Sequence, residues 1–164
     1  MQTPPIRVRD ATSDDVEALT CLAVQVQTLH AEGRPDLFRP ADESALRDFL
    51  VARLADGAIL LIAGDHDGKA LGYLLAEVVS RPDSPFLLAH RSVYVHHIAV
   101  DEDARRQHVG ALLMEEIAQR ARQASADTVR LDSWSFNKQA HRFFQAQGFL
   151  ESRVIFERPA GTAD

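Results

Sequence analysis

The sequence predicts a mixed α/β fold, a sheet layered by helices, and three observations point to it. Residues 58–100 hold consecutive strand-like runs, and residues 92–156 then read strand, helix, strand, helix, strand. The chain has 164 residues, 46% hydrophobic and 26% charged, which suits one soluble domain able to bury a sizeable core.

Each element follows in order. Ile6-Arg7-Val8-Arg9 alternates at period two and reads as a short first strand. Ser13-Asp14-Asp15 supplies cap-type residues for a helix whose stripe is Val16, Leu19, Leu22, Ala23, Val26 and Leu29. From His30 to Pro40, Gly33, Pro35 and Pro40 break that pattern, so a loop is expected. Glu43–Leu54 reads as a second helix, stopped near Gly57. Ala58–Gly64 and Leu71–Val79 are strands joined by the turn chemistry of Asp65-His66-Asp67-Gly68, and Arg81-Pro82-Asp83-Ser84-Pro85 ends the second. Ser92–Val100 is a β-branched strand, Val109–Ala124 a helix with Val109, Leu112, Leu113 and Ile117 on one face, and Thr128–Trp134 a strand. Lys138–Gln147 is a helix ended by Gly148, and Phe149–Phe156 is expected to close the sheet as a final strand. No repeat or linker divides the chain, so residues 1–164 are read as a single domain.

Composition narrows the function classes. The longest apolar run beside a strand, Ala58–Ala63, is far too short to span a membrane. The opening Met1-Gln2-Thr3-Pro4-Pro5 has no charged start and apolar run of a leader. Cys21 is the sole cysteine and has no partner for an internal disulfide. The expected location is therefore cytoplasmic, with no membrane partner. A net charge of −6 argues against a nucleic-acid partner, which needs clustered Lys and Arg, and leaves room for a cationic acceptor.

The most informative stretch runs from Tyr94 to Met114. A strand ends at Ile98-Ala99-Val100, a turn carries Arg105 and Arg106, and a helix starts near Val109 and Gly110. Such a turn aims unpaired N–H groups at one point, and the helix adds its positive end, which makes an anion site suited to a pyrophosphate. Arg105 and Arg106 offer charge-assisted contacts, and Gly110 lets a backbone approach a ligand closely. The alternative reading is an exposed arginine turn capping a core helix.

This stretch resembles the coenzyme-A loop of the GNAT superfamily of N-acetyltransferases: Arg or Gln, two residues, Gly, any residue, then Gly or Ala. Arg105, Arg106, Gln107, Val109 and Gly110 fit it, and Ile98-Ala99-Val100 resembles the end of that family's fourth strand. His108 departs, standing where the first glycine is expected. Either the turn holds, since histidine tolerates positive φ, or the side chain crowds a pyrophosphate. A second stretch, Asn137 to Phe149, resembles the family's other signature through Asn137, Ala140, Phe143, Gly148 and Phe149. Phe144 departs there, because many members carry a tyrosine able to protonate the leaving sulfur.

The resemblance implies a mostly antiparallel central sheet flanked by helices. It implies acetyl-CoA as cosubstrate and direct transfer of acetyl to a primary amine of a small molecule or peptide, with a homodimer as a possible assembly; no metal is expected, because no Cys/His cluster has zinc spacing and no complete NTPase phosphate loop is present. It assigns cofactor binding to Ile98, Ala99, Val100, Arg105, Arg106, Gln107, His108, Val109, Gly110, Ala111, Asn137 and Phe144. The attacking amine must lose a proton. Strand alternation puts Tyr94, His96 and Ile98 on one face and His97 on the other. Relatives place a glutamate where His96 stands, and a histidine titrates in the right range to accept a proton. Candidate catalytic groups are His96, with Glu77 in reserve and His97 behind both; Tyr94, Tyr73 or water remain open as proton donors. The loop from Leu29 to Pro40 lies where relatives build the acceptor lid, so Glu32 and Phe38 are candidate substrate contacts, against the plainer reading of a surface loop anchored by Phe38. Ser133 and Ser135 are weaker candidates for either ligand. Cys21 has no activating neighbour, and no Cys/His cluster has zinc spacing. Two other classes stay open: a cofactor-binding module with little catalysis, motivated by His108 and Phe144, and an unrelated phosphate binder, which would lack a Walker lysine and spaced glycines.

Overall fold

The structure, a computed structural model, describes residues 5–161; the Met1–Pro4 part of the start read for a leader lies outside them. Eleven short elements follow one another: β1 (Arg7–Asp10), a 3-10 turn (Ser13–Asp15), α1 (Val16–Gly33), α2 (Glu43–Ala55), β2 (Ile59–Gly64), β3 (Ala70–Arg81), β4 (His90–Val100), a second 3-10 turn (Glu102–Ala104), α3 (Val109–Gln123), β5 (Thr128–Leu131) and α4 (Lys138–Ala146). The five strands form one sheet in the order β1-β2-β3-β4-β5. All pairs are antiparallel except β4 and β5, which run parallel.

Alternation along the strands feeds two cores, one on each face. Leu61, Ala63, Leu74, Ala76, Val93 and Val95 bury themselves against Val109, Leu113, Met114 and Ile117 of α3. Leu60, Ile62, Tyr73, Leu75 and Ala99 pack on the other face against Leu19, Leu22 and Ala23 of α1 and Leu50 of α2. Consecutive residues of one strand thus serve opposite layers, which is why the central strands read as apolar runs. Helix ends form where the cap residues stand. Asp42 Oδ1 accepts from the Ala45 amide at 3.1 Å and Asn137 Oδ1 from the Ala140 amide at 3.1 Å. Before α1, the Thr12 amide donates to Asp15 Oδ2 at 2.8 Å, while Arg9 pairs with the same carboxylate and holds its pKa down at about 2.

Three expectations change. Helix α1 continues to Gly33, past the loop start expected at His30. Gly33 is there for space: a Cβ would lie 2.3 Å from the Phe136 ring. Strand β5 stops at Leu131, three residues short of Trp134. The final strand over 149–156 does not form. Phe149 packs into the α3-side core, but residues 150–161 are exposed and pair with no strand. Strand propensity is realised only on a partner edge, and within this chain the segment takes none. No helix among the described residues is long and apolar enough to cross a membrane.

Candidate active site

The site begins where β4 loses a neighbour. Ser92–Val95 pair with Thr128–Leu131, but β5 then ends and Trp134 packs on Phe38 of the loop after α1. Beyond Val95, Ile98, Ala99 and Val100 remain paired with Leu74, Tyr73 and Gly72 of β3, leaving their other edge without a strand. A strand edge of this kind offers free N–H and C=O groups to an extended ligand.

Just past that edge lies the turn read from the sequence. Asp101 Oδ1 accepts from the Asp103 amide at 2.9 Å, and Asp101 Oδ2 receives Gln25 Nε2 at 3.3 Å, so the turn is tied back to α1. Arg106 and His108 both take left-handed backbone, φ 67° and 62°. The turn therefore holds with histidine in place of glycine, and a second left-handed residue, Arg106, joins it. Left-handed residues in a turn of this kind help build amide-lined concavities for anions. His108 is the N-cap of α3 and makes no capping bond, so the amides of the first helical turn are open to an anion. Arg105, Arg106, Gln107 and His108 are exposed around it, with Arg105 only 3.7 Å from Glu102.

Gly110 answers a packing need within the chain. A Cβ on it would meet the Phe143 ring at 2.9 Å, so the glycine admits α4 against the start of α3. Phe144 lies in the same aromatic group, 5.4 Å from Phe143 and 5.9 Å from Phe149 between ring centres. Asn137 is bound up in capping α4.

A β-bulge decides where the histidines go. Leu75 faces His97 and the next residue, Ala76, faces Val95, so His96 has no opposite number. The bulge switches the alternation. Ile98 joins the α3-side core together with Val93 and Val95, and His97 turns to the α1 and α2 side beside Tyr73 and Phe49. The strict alternation expected from the sequence, with Ile98 beside His96 and His97 opposite, is corrected by that extra residue.

The two histidines end in opposite environments. His96 Nε2 lies 3.0 Å from Glu77 Oε1, with both side chains partly open to solvent at 39% and 48% exposure. Tyr94 stacks edge-on against the His96 ring at 5.0 Å and donates its hydroxyl to Asp132. Burial, then that bond, push the Tyr94 phenol up to about 12. His97 shares a 3.1 Å hydrogen bond with the Tyr73 hydroxyl, which is fully buried. Burial, helped by the neighbouring His96 and His30, pushes the His97 imidazole down to about 4, and burial pushes the Tyr73 phenol up. His97 is thus a neutral, structural imidazole near pH 7.

At the mouth of the gap stands an aromatic wall. Phe38 stacks on His30 at 4.9 Å and meets the Trp134 edge at 5.2 Å, while the Arg34 guanidinium lies over Trp134 at 5.5 Å. Glu32 is exposed on the last turn of α1 and makes no ion pair among the described residues, so only Phe38 of the two lid candidates joins the cluster. Asp65, His66 and Asp67 bring three potential metal ligands together on the exposed β2–β3 turn, but Asp65 Oδ1 already accepts from the amides of Asp67 and Lys69. Sequence reasoning missed Asp132, His30 and Trp134. A single tryptophan at the end of an expected strand was the available signal for the last.

The chain has known likenesses. Residues 23–149 match the acetyltransferase (GNAT) family. The aminoalkylphosphonate N-acetyltransferase of Salmonella typhimurium is 23% identical over 94% of this chain and 92% of its own length. The aminoglycoside N(6')-acetyltransferase type 1 of Klebsiella aerogenes is 29% identical over 80% of this chain and 87% of its own. Among solved structures, a tetramutant of the BH1408 protein from Bacillus halodurans superposes with a TM-score of 0.85 at 28% identity, covering 93% of this chain and 99% of that one.

Proposed function

The chain belongs to the acetyltransferase (GNAT) family and is an acyltransferase, and we propose that it moves the acetyl group of acetyl-CoA onto a primary amine of a small molecule. The observation that carries this reading is the pairing of Glu77 with His96 on the bulge, where the bare edge of β4 begins. From His96 to Val100 that edge extends about 13 Å, with a proton acceptor at one end and the amides of α3 at the other. A long ligand with a reactive group at one tip and phosphates at the other fits such a layout. When bound, acetyl-CoA supplies a thioester ready for attack by an amine.

The residues of the chain do the rest. The first-turn amides of Val109, Gly110 and Ala111, with Arg105 and Arg106, hold the diphosphate. The free edge of Ile98, Ala99 and Val100 aligns the arm and offers a backbone N–H to the developing oxyanion. His96 takes the proton of the incoming ammonium, and Glu77 fixes the ring and stabilises the imidazolium that forms. Tyr94 keeps its proton against Asp132 and orients the ring by stacking, so the leaving sulfur is protonated from water. A thiolate leaves without an acid more readily than an alkoxide, because simple thiols ionise near pH ~8.5. No metal enters this reading, and the domain is taken as the whole of residues 1–164. The relatives named for an aminoalkylphosphonate and an aminoglycoside support a small-molecule acceptor over a peptide.

The test is thiol release from acetyl-CoA with a panel of small primary amines and peptides. Amine-dependent release that His96→Ala lowers while acetyl-CoA binding is kept supports the reading. Saturable acetyl-CoA binding with no release on any amine overturns it.

A further inference from the structure

We infer, resting on the amine transfer proposed at His96, that the acceptor is a short acidic amine and that Arg130 binds its carboxylate or phosphate-like end. Strand register brings Arg130 to the site. It pairs with Tyr94 across the parallel ladder of β4 and β5. Val129 and Leu131 pack on the α3-side core, as do Val93 and Val95, so alternation turns Arg130 and Tyr94 together to the opposite face. On that face the Tyr94 ring meets His96 at 5.0 Å, and Glu77, opposite Tyr94 on β3, reaches His96. One strand across and two residues along, the Cα atoms of Arg130 and His96 lie about 8 Å apart.

The charges around this face are unequally matched. Glu77 is taken by His96, and Asp132 accepts the Tyr94 hydroxyl. Arg34, the cation at the aromatic wall, is held between Asp36 and Glu157. Arg130 is half-buried, and among the described residues its guanidinium makes no ion pair or hydrogen bond. Arg153, after α4, also has no ion pair among the described residues. Both positive charges reach the Tyr94 hydroxyl, where they oppose the upward push of burial and Asp132. A partly desolvated guanidinium lacks its counter-charge here, and its planar fork suits a pair of carboxylate or phosphate oxygens.

Position decides which ligand supplies that anion. Arg105 and the first turn of α3 lie beyond Val100, whereas Arg130 is level with Tyr94, on the far side of His96. From Tyr94 to Val100 the strand runs about 20 Å, so a diphosphate held at α3 does not serve Arg130. The anion therefore belongs to the acceptor. With its amine at His96 and its acid at Arg130, that molecule is only a few carbons long.

The test compares γ-aminobutyrate, phosphoethanolamine, butylamine and putrescine as acceptors, by thiol release from acetyl-CoA, in the parent, Arg130→Gln and Arg130→Glu. The parent is expected to use an acidic amine with kcat/KM about tenfold or more above butylamine, the worth of a charge-assisted hydrogen bond, and to use putrescine least. Whichever acidic amine leads tells a carboxylate acceptor from a phosphate one. Arg130→Gln should erase the preference through KM. Arg130→Glu should invert it toward putrescine, a gain that a misfolded variant cannot show. Calorimetry with the two acidic amines, with and without coenzyme A, adds a readout that needs no turnover. Saturable binding lost in Arg130→Gln, with no thiol release on any amine, would keep the acid site and remove the acetyl-transfer reading. Butylamine or putrescine used as well as the acidic amines by the parent, a preference unmoved by Arg130→Glu, or no saturable binding of either acidic amine would each overturn the assignment.

Discussion

The two halves of β4 are built from similar residues and do opposite things. From Ser92 to Val95 the strand is hydrogen-bonded on both sides and buries Val93 and Val95. From His96 to Val100 it keeps β3 and loses β5, and a bulge at the boundary presents His96 while turning His97 inward. Rigidity at one end and an open edge at the other come from pairing, not composition. The paired half fixes the position of the open half, and the open half leaves backbone groups for a ligand.

The boundary is where the comparison breaks most easily. His96→Ala is expected to lower kcat/KM by about 10²–10⁴, the usual contribution of a general base, with acetyl-CoA binding retained. Glu77→Gln should lose less and shift the pH profile of turnover. An equal drop at every pH for His96→Ala would assign the residue a positional role.

The open half depends on a close approach behind it. Gly72 faces Val100, and a Cβ there would lie 2.6 Å from the Ala99 carbonyl oxygen. Gly72→Val should cost about 2–3 kcal/mol in urea unfolding and displace the free edge, since overpacking against backbone has no easy relief. Turnover should fall further than stability alone explains.

His97 sharpens the contrast in a pH experiment. Its folded pKa, about 4, lies below the ordinary histidine value of 6.5. The unfolded chain therefore binds the extra proton first, and stability falls as pH drops from about 6.5 toward 4, by on the order of 2 kcal/mol. Above that window the contribution is complete. His97→Gln should flatten this part of the stability curve, checked by thermal melts across the range.

The paired half yields the smallest effect. Asp127 closes a small ring at its start, receiving the Arg91 amide at 3.1 Å and donating its own to the Arg91 carbonyl at 2.7 Å. Asp127→Ala should cost about 1 kcal/mol, the worth of one exposed hydrogen bond, and leave turnover unchanged.

Much of this was legible in the sequence because it is local. Asp42 and Asn137 cap helices, Asp65 to Gly68 turn a hairpin, and Arg105 to His108 precede a helix, all from residue types within a few positions of one another. The bulge was not legible. Nothing in Val95-His96-His97-Ile98 says that one residue will lose its partner, since that depends on the register with Leu75 and Ala76 some 20 positions away. The packing of Gly110 against Phe143 was not legible either, since it is a contact between two helices that spacing does not reveal. The strand expected at 149–156 failed for the same reason as the bulge: pairing is non-local, and Val154-Ile155-Phe156 records propensity without naming an edge.

The central claim is that the unpaired half of β4 and the first turn of α3 together hold an acyl-CoA. Amide hydrogen exchange during an acetyl-CoA titration tests it directly. Slowed exchange concentrated at Ile98–Val100 and Val109–Ala111, with Ser92–Val95 unchanged, is the predicted pattern. Saturable binding that leaves those amides untouched, or no saturable binding by a folded chain, would contradict it.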